Sequence, residues 1–245
     1  KEGILRSTNV IVPGPWLLEA AELINKNPGL DVGIHLALTS EWSYIKWRPL
    51  TAAPSLVDRN GYFYPMVWPN KRFPSGSYLL EASPKIEEIE RELRAQIEAG
   101  KRLMPQMTYV STHMGFSHAK PEWHSLVQTL AKEYKVQLSG DDAGVQDLGQ
   151  VWNSGANVPF ESGQVRAAKL AKKLESIGPG TWRMVDHAAL DDPEMKAIQH
   201  PRYEDVATDR AAVLDAWTSF IVADIVRRRG IRLISYRDLT KHEPM

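Results

Sequence analysis

The stretch Val32-Gly33-Ile34-His35-Leu36-Ala37-Leu38-Thr39-Ser40 reads as a β-strand with two unlike faces. Side chains alternate along a strand, so Val32, Ile34, Leu36 and Leu38 share one face, and Gly33, His35, Ala37 and Thr39 share the other. The first face is bulky and apolar. The second is small except for one imidazole, the pattern of a barrel strand that packs outward and aims at a polar centre. A core histidine with one satisfied hydrogen bond is the plainer reading of His35 taken alone. The rest of the chain has to decide between them.

The chain has 245 residues, enough to bury a large core, and is read as a single α/β domain over residues 1–245. Thirty basic and 30 acidic residues cancel, and no long basic run is present. Nucleic acid and anionic membrane are therefore poor partners. The absence of cysteine excludes disulfides, thiolate zinc sites and thiol nucleophiles. No apolar run approaches the roughly 20 residues of a bilayer span, and no signal peptide is visible, so a cytoplasmic location is expected.

Outward from the histidine strand, residues 5–12 read as a strand ended by Pro13-Gly14-Pro15, and residues 16–25 as a helix closed by Asn27-Pro28-Gly29. Strand, helix and strand with short links favour a parallel pair and a right-handed crossover. Residues 41–83 then form a long irregular excursion rich in Trp, Tyr, Pro, Asn and Gly. Such a segment is usually functional or disordered, and its aromatic content argues for order. Trp42, Tyr44 and Trp47 are candidates to stack on sugar faces. The alternative is an insertion that packs on itself or on a second subunit in a homodimer. Asn60-Gly61 suits a small hairpin turn.

Residues 84–103 predict a charged helix with Ser83 as N-cap, a stripe of Ile86, Ile89, Leu93 and Ile97, and a solvated charged face. Residues 107–115 predict a strand on which Tyr109, Ser111 and His113 share a face. Residues 121–134 predict a helix and 136–139 a short strand, which runs into Asp141-Asp142 and a Gly/Asn-rich loop. A helix over 162–177 and a strand over 181–188 follow, and His187 lies near the end of that strand. A long helix over 209–229, burying Leu214, Trp217, Phe220, Ile221 and Ile225, leads to a closing strand at 231–236.

Strands alternating with helices give an α/β, barrel-like order without internal repeats. Catalytic groups in such barrels sit at the carboxyl ends of strands. His35, His113 and His187 all fall late in their expected strands, which favours a metal-binding or catalytic role over packing. Imidazoles suit a hydrolytic divalent-metal site: two histidines and a carboxylate hold the ion, and a third histidine protonates a leaving amine. No HExxH-type motif supports this locally, and no G-x-S-x-G elbow supports a serine nucleophile.

The segments PGLDVGIHLALTSEW, MTYVSTHMG, VDHA, TDRAAVLDAW and GIRLISYRDL, in that order, resemble the YdjC-like carbohydrate deacetylases, which include chitooligosaccharide deacetylases. The resemblance runs from the first strand to about Leu239. It implies a distorted (β/α) barrel of the polysaccharide-deacetylase-like type, with the aromatic-rich insertion following the second strand present. It implies a metal-dependent N-deacetylase using Mg²⁺ or Zn²⁺ on acetylated amino sugars or oligosaccharides. His35 and His113 become metal ligands, and His187 the acid or orienting group of a late histidine–proline motif.

Three positions depart from the family pattern. Tyr109 and Ser111 stand where a histidine and an aspartate are usual, and Ala188 replaces a proline. The family's Asp-Asp-x-Gly strand, which carries the remaining ligand and the general base, would precede Lys1. An omitted upstream strand is the expectation, with Asp141 and Asp142 as substitute or neighbouring carboxylates in the alternative. A catalytically inactive sugar-binding homologue and a metal-dependent hydrolase of another ester or phosphoester bond are the rival functions.

Overall fold

The computed structural model describes residues 3–71, 73–140, 144–155 and 158–239. Asp141 and Asp142 lie outside the described residues. The chain divides into two compact units, one made of Arg6–Trp42, Lys46–Asp141 and Ile234–Met245, the other of Lys1–Leu5, Ser43–Ile45 and Asp142–Leu233.

The first unit is built on a four-stranded, wholly parallel sheet ordered β1 (Ser7–Val10), β2 (Asp31–Leu36), β3 (Tyr109–Thr112), β4 (Gln137–Leu138). Helices α1 (Leu17–Asn25), α2 (Ile86–Leu103) and α3 (Pro121–Glu133) make the crossovers. The two faces of β2 behave as the alternation predicts. Val32, Ile34 and Leu36 are fully buried, and Ile34 lies so close to α2 that a Cβ on Gly100 would be 2.4 Å from its Cδ1. Gly100 is therefore required for the helix to reach the sheet.

On the opposite face, Tyr109 reaches from β3 across β2, and its hydroxyl donates to Thr8 O on β1 at 2.8 Å. A Cβ on Gly33 would meet that ring at 2.4 Å. The ring has no room to move, since it also packs on Tyr236 at 4.3 Å between centroids. Gly33→Ala is thus expected to destabilise the protein by about 1–3 kcal/mol, the usual cost of overpacking. Urea unfolding of the variant beside the parent checks this, and an unchanged midpoint would refute it. Burial pushes the Tyr109 phenol well above its ordinary pKa, with Tyr236 and Asp31 adding to the shift.

The excursion after β2 packs largely on itself and on α2. Leu56, Phe63, Val67 and Leu79 are fully buried, and Tyr78 donates to Asn70 O at 2.6 Å. Asn60-Gly61 does form the expected turn: Asp58 Oδ1 accepts from Asn60 N at 2.8 Å, and Val57 bridges Phe63. The charged face of α2 is not simply solvated. Glu92 is buried and accepts from Leu50 N at 3.0 Å and Thr51 N at 2.9 Å, while Glu88 accepts from Ser55 N at 2.8 Å. These carboxylates satisfy loop amides that have no strand partner. Ser83 is left-handed (φ 52°) and is not the N-cap, which falls at Lys85.

The second unit holds a two-stranded parallel sheet of β5 (Val145–Asp147) and β6 (Thr181–Arg183), with helices α4 (Gly163–Ser176), α5 (Val206–Trp217) and α6 (Phe220–Arg228). Its core gathers Leu148, Trp152, Leu170, Val213, Trp217 and Val222. The strand expected over 181–188 stops at Arg183 because its partner β5 offers only three residues for pairing. The long helix expected over 209–229 is two helices. Thr218 folds its hydroxyl back onto Leu214 O at 2.8 Å, and Ser219 caps α6 by accepting from Ile221 N at 3.2 Å. The break leaves Phe220 80% exposed rather than buried, with Ile221 also exposed.

The closing strand expected over 231–236 is likewise absent. Ser235 donates its N–H and hydroxyl to Asp238 Oδ2 at 3.0 and 2.8 Å, a capping arrangement that starts the short helix α7 (Tyr236–Leu239) instead. Tyr236 N then donates to Ser7 Oγ and Arg237 N to buried Asp31, which ties α7 to the amino-terminal ends of β1 and β2. The described strands thus pair as a set of four and a set of two, and these pairings do not close a ring.

Candidate metal centre

In register, His35 on β2 lies opposite Ser111 on β3. His113 follows two residues later, immediately after β3 ends, so both imidazoles stand at the carboxyl end of the parallel sheet, where ligands of open α/β sheets bind. The chain turns away at once: Met114 (φ 52°) and Gly115 (φ 61°) are both left-handed. Holding a methionine in that region costs about 1–3 kcal/mol, a strain often met at functional sites.

The two rings meet edge to face with centroids 5.2 Å apart. His35 Nδ1 shares a hydrogen bond of 2.6 Å with Ser111 Oγ. His113 Nε2 shares a hydrogen bond of 3.0 Å with Glu41 Oε2, and both side chains are buried. Trp47 stands edge-on to His113 with centroids 6.2 Å apart. The indole is fixed by its Nε1–H, which donates to Thr39 O at 2.9 Å, and by its backbone N–H, which donates to Ser40 Oγ at 3.1 Å. Lys46 donates to Ser40 O. Burial pulls the Lys46 ammonium below its ordinary pKa against the attraction of Asp58 and Glu41.

Beyond Leu36 the strand pairing lapses, and α2 takes over. The buried Gln96 amide accepts from Ala37 N at 3.0 Å and donates to Ala37 O at 2.8 Å. One side chain so stands in for an absent neighbouring strand, two residues from His35. Nothing local in the sequence distinguishes Gln96 or Glu41 from surface residues; their partners lie 59 and 72 positions away.

The remaining candidates are distributed as follows. Trp42 and Trp47 are buried, whereas Tyr44 is 74% exposed. His187 belongs to the second unit, beyond the end of β6, with an exposed side chain and its N–H donating to Asp186 Oδ1 at 2.7 Å. In the same unit His200 is buried and is the histidine that a proline follows, with Nδ1 3.0 Å from Pro201 O.

By chemistry, His35 and His113 fit two positions of a divalent-ion site. Metal-bound histidines characteristically engage their second ring nitrogen with an oxygen of the protein, as both do here. Among the described residues no group of three His, Cys, Asp or Glu side chains converges. No helix of the described residues is long and apolar enough to cross a membrane.

Parallel strands with paired imidazoles at their carboxyl end define an α/β protein with an enzyme-like site. The sequence profile described as YdjC-like protein matches residues 1–228, and the chain belongs to that family. It is 31% identical over 211 residues to a carbohydrate deacetylase of Thermus thermophilus, covering 79% of this chain and 72% of the relative. A chitooligosaccharide deacetylase of Yersinia enterocolitica is 29% identical over 247 residues, covering 97% and 89%. Among solved structures, a candidate cellobiose-phosphate cleavage protein of Enterococcus faecalis shares the fold, with a TM-score of 0.72 at 20% identity over 97% of this chain and 88% of that one.

Proposed function

We propose that this protein is a metal-dependent carbohydrate deacetylase that removes N-acetyl groups from amino sugars or oligosaccharides. The observation that carries the reading is the His35–His113 pair at the carboxyl end of the sheet, each imidazole hydrogen-bonded to an oxygen. The names of the relatives support the acetylated-sugar substrate.

In this reading His35 and His113 hold a Mg²⁺ or Zn²⁺ ion. When bound, the ion polarises the amide carbonyl and lowers the pKa of a water molecule. Water adds to the carbonyl carbon, the C–N bond breaks, and the nitrogen leaves as an amine after taking up a proton. His187 is the proposed donor of that proton, the role that the family resemblance implies for it. Buried Trp47 keeps bulk water from one side of His113.

The test is acetate release by the full-length protein from acetylated chitooligosaccharides, acetate esters and phosphate esters, before and after chelation. Acetate from the sugars, lost with chelator and restored by metal, is the expected result. Phosphate or ester hydrolysis without sugar deacetylation would move the site to another bond, and sugar binding without any turnover would make the protein a lectin-like homologue.

A further inference from the structure

The two imidazoles are held by unlike partners. His35 meets a neutral hydroxyl, while His113 meets a carboxylate that is itself buried. A buried carboxylate is costly unless hydrogen bonds and a counter-charge compensate it. Glu41 has both in view: the His113 N–H, and the attraction of the Lys46 ammonium.

From this arrangement we infer that Glu41 is the positioning residue of the centre: it holds His113 in the Nε2–H tautomer and so assigns Nδ1 as the coordinating atom. A carboxylate accepts and cannot donate while ionised, so the proton must sit on Nε2 and the lone pair on Nδ1. A half-turn of the ring would set the carbon Cε1, not Nε2, against Glu41 and lose the hydrogen bond, so the pairing fixes which nitrogen faces the carboxylate. His35 meets it edge to face, and Trp47, tied to Thr39 O and Ser40 Oγ, stands at another edge. The negative charge also makes Nδ1 a better electron donor than a neutral partner would. Ser111 gives His35 orientation without that charge. The assignment rests on the metal-dependent reading for its consequence, though not for the tautomer itself.

Two measurements separate these parts. Long-range ¹H–¹⁵N correlation spectra of the metal-free protein should place His113 in the Nε2–H tautomer, and Glu41→Ala should convert it to a mixture. Titration with Zn²⁺ alone should show Glu41→Ala binding about 10–100-fold more weakly than the parent, the usual loss on removing a ligand's hydrogen-bond partner. Glu41→Gln, whose amide oxygen can still accept from Nε2–H, should recover part of that loss and keep the tautomer. Ser111→Ala should weaken binding less than Glu41→Ala. An Nδ1–H tautomer in the parent, or equal Zn²⁺ affinity in parent and Glu41→Ala, overturns the inference. A parent that binds no metal but shows the Nε2–H tautomer overturns the metal-dependent reading and leaves the orienting role of Glu41 in place.

Discussion

Asp209→Ala is expected to cost about 3–5 kcal/mol, the usual penalty for stripping one partner from a buried ion pair. Arg166 on α4 is wholly buried, and its guanidinium pairs with Asp209 on α5 and donates to Asp209 O at 2.8 Å. The same carboxylate accepts from Ser154 Oγ at 2.7 Å and from the Tyr203 hydroxyl at 2.5 Å. Removing it leaves the buried guanidinium beside Trp152 without its counter-charge, keeping only backbone carbonyls as partners. Urea unfolding followed by tryptophan fluorescence reads the effect, and a loss below about 1 kcal/mol would show that the pair is dispensable.

The same group sets a pH dependence. Burial alone would raise the Asp209 pKa, but the bonds from Tyr203, Ser154 and Arg166 hold it below the usual carboxylate range. A carboxyl depressed in the folded state stabilises the protein fully above its unfolded pKa, and that contribution is lost as pH falls through the folded value. The stability gap between the parent and Asp209→Asn should therefore narrow in acid and stay constant at neutral pH. The Tyr203 phenol, pushed up to about 12 by burial and by Asp209, remains a donor throughout.

His113→Ala is expected to reduce deacetylation to background while leaving the protein folded. The side chain holds a proposed metal position and meets both Glu41 and the edge of His35. Acetate release with metal in excess checks the activity, and circular dichroism checks the fold. Turnover near the parental rate would exclude His113 from the centre. His187→Ala should behave differently, losing about 10²–10⁴-fold in rate, as expected for a proton donor. Its loss should shrink on acetyl esters of phenols, whose leaving groups need no proton. An equal loss on both substrate types would remove the donor role.

The alternation in residues 32–39 and the 3.6-residue stripe on α2 were legible because they reflect the geometry of consecutive residues. The helices α1, α2, α3 and α4 fall within a few residues of their expected bounds, and Ser162 caps α4 by accepting from Val165 N. Strand ends depend on more than the local pattern. Residues 181–188 and 231–236 have strand-like composition, but a strand persists only where a partner supplies hydrogen bonds. For the first the partner has three residues; for the second a Ser235–Asp238 cap offers the backbone a competing bond.

The candidate site divides in the same way. That His35 and His113 belong at strand ends follows from local pattern, because an imidazole among small residues on one face is visible in a single segment. That they meet is a matter of register, His35 opposite Ser111, fixed by hydrogen bonds between segments 76 residues apart. The burial of Glu41, Glu88, Glu92 and Gln96 is likewise a tertiary result. Each carries a side chain that local pattern assigns to solvent, and each is drawn inward by polar groups that distant parts of the chain leave unpaired.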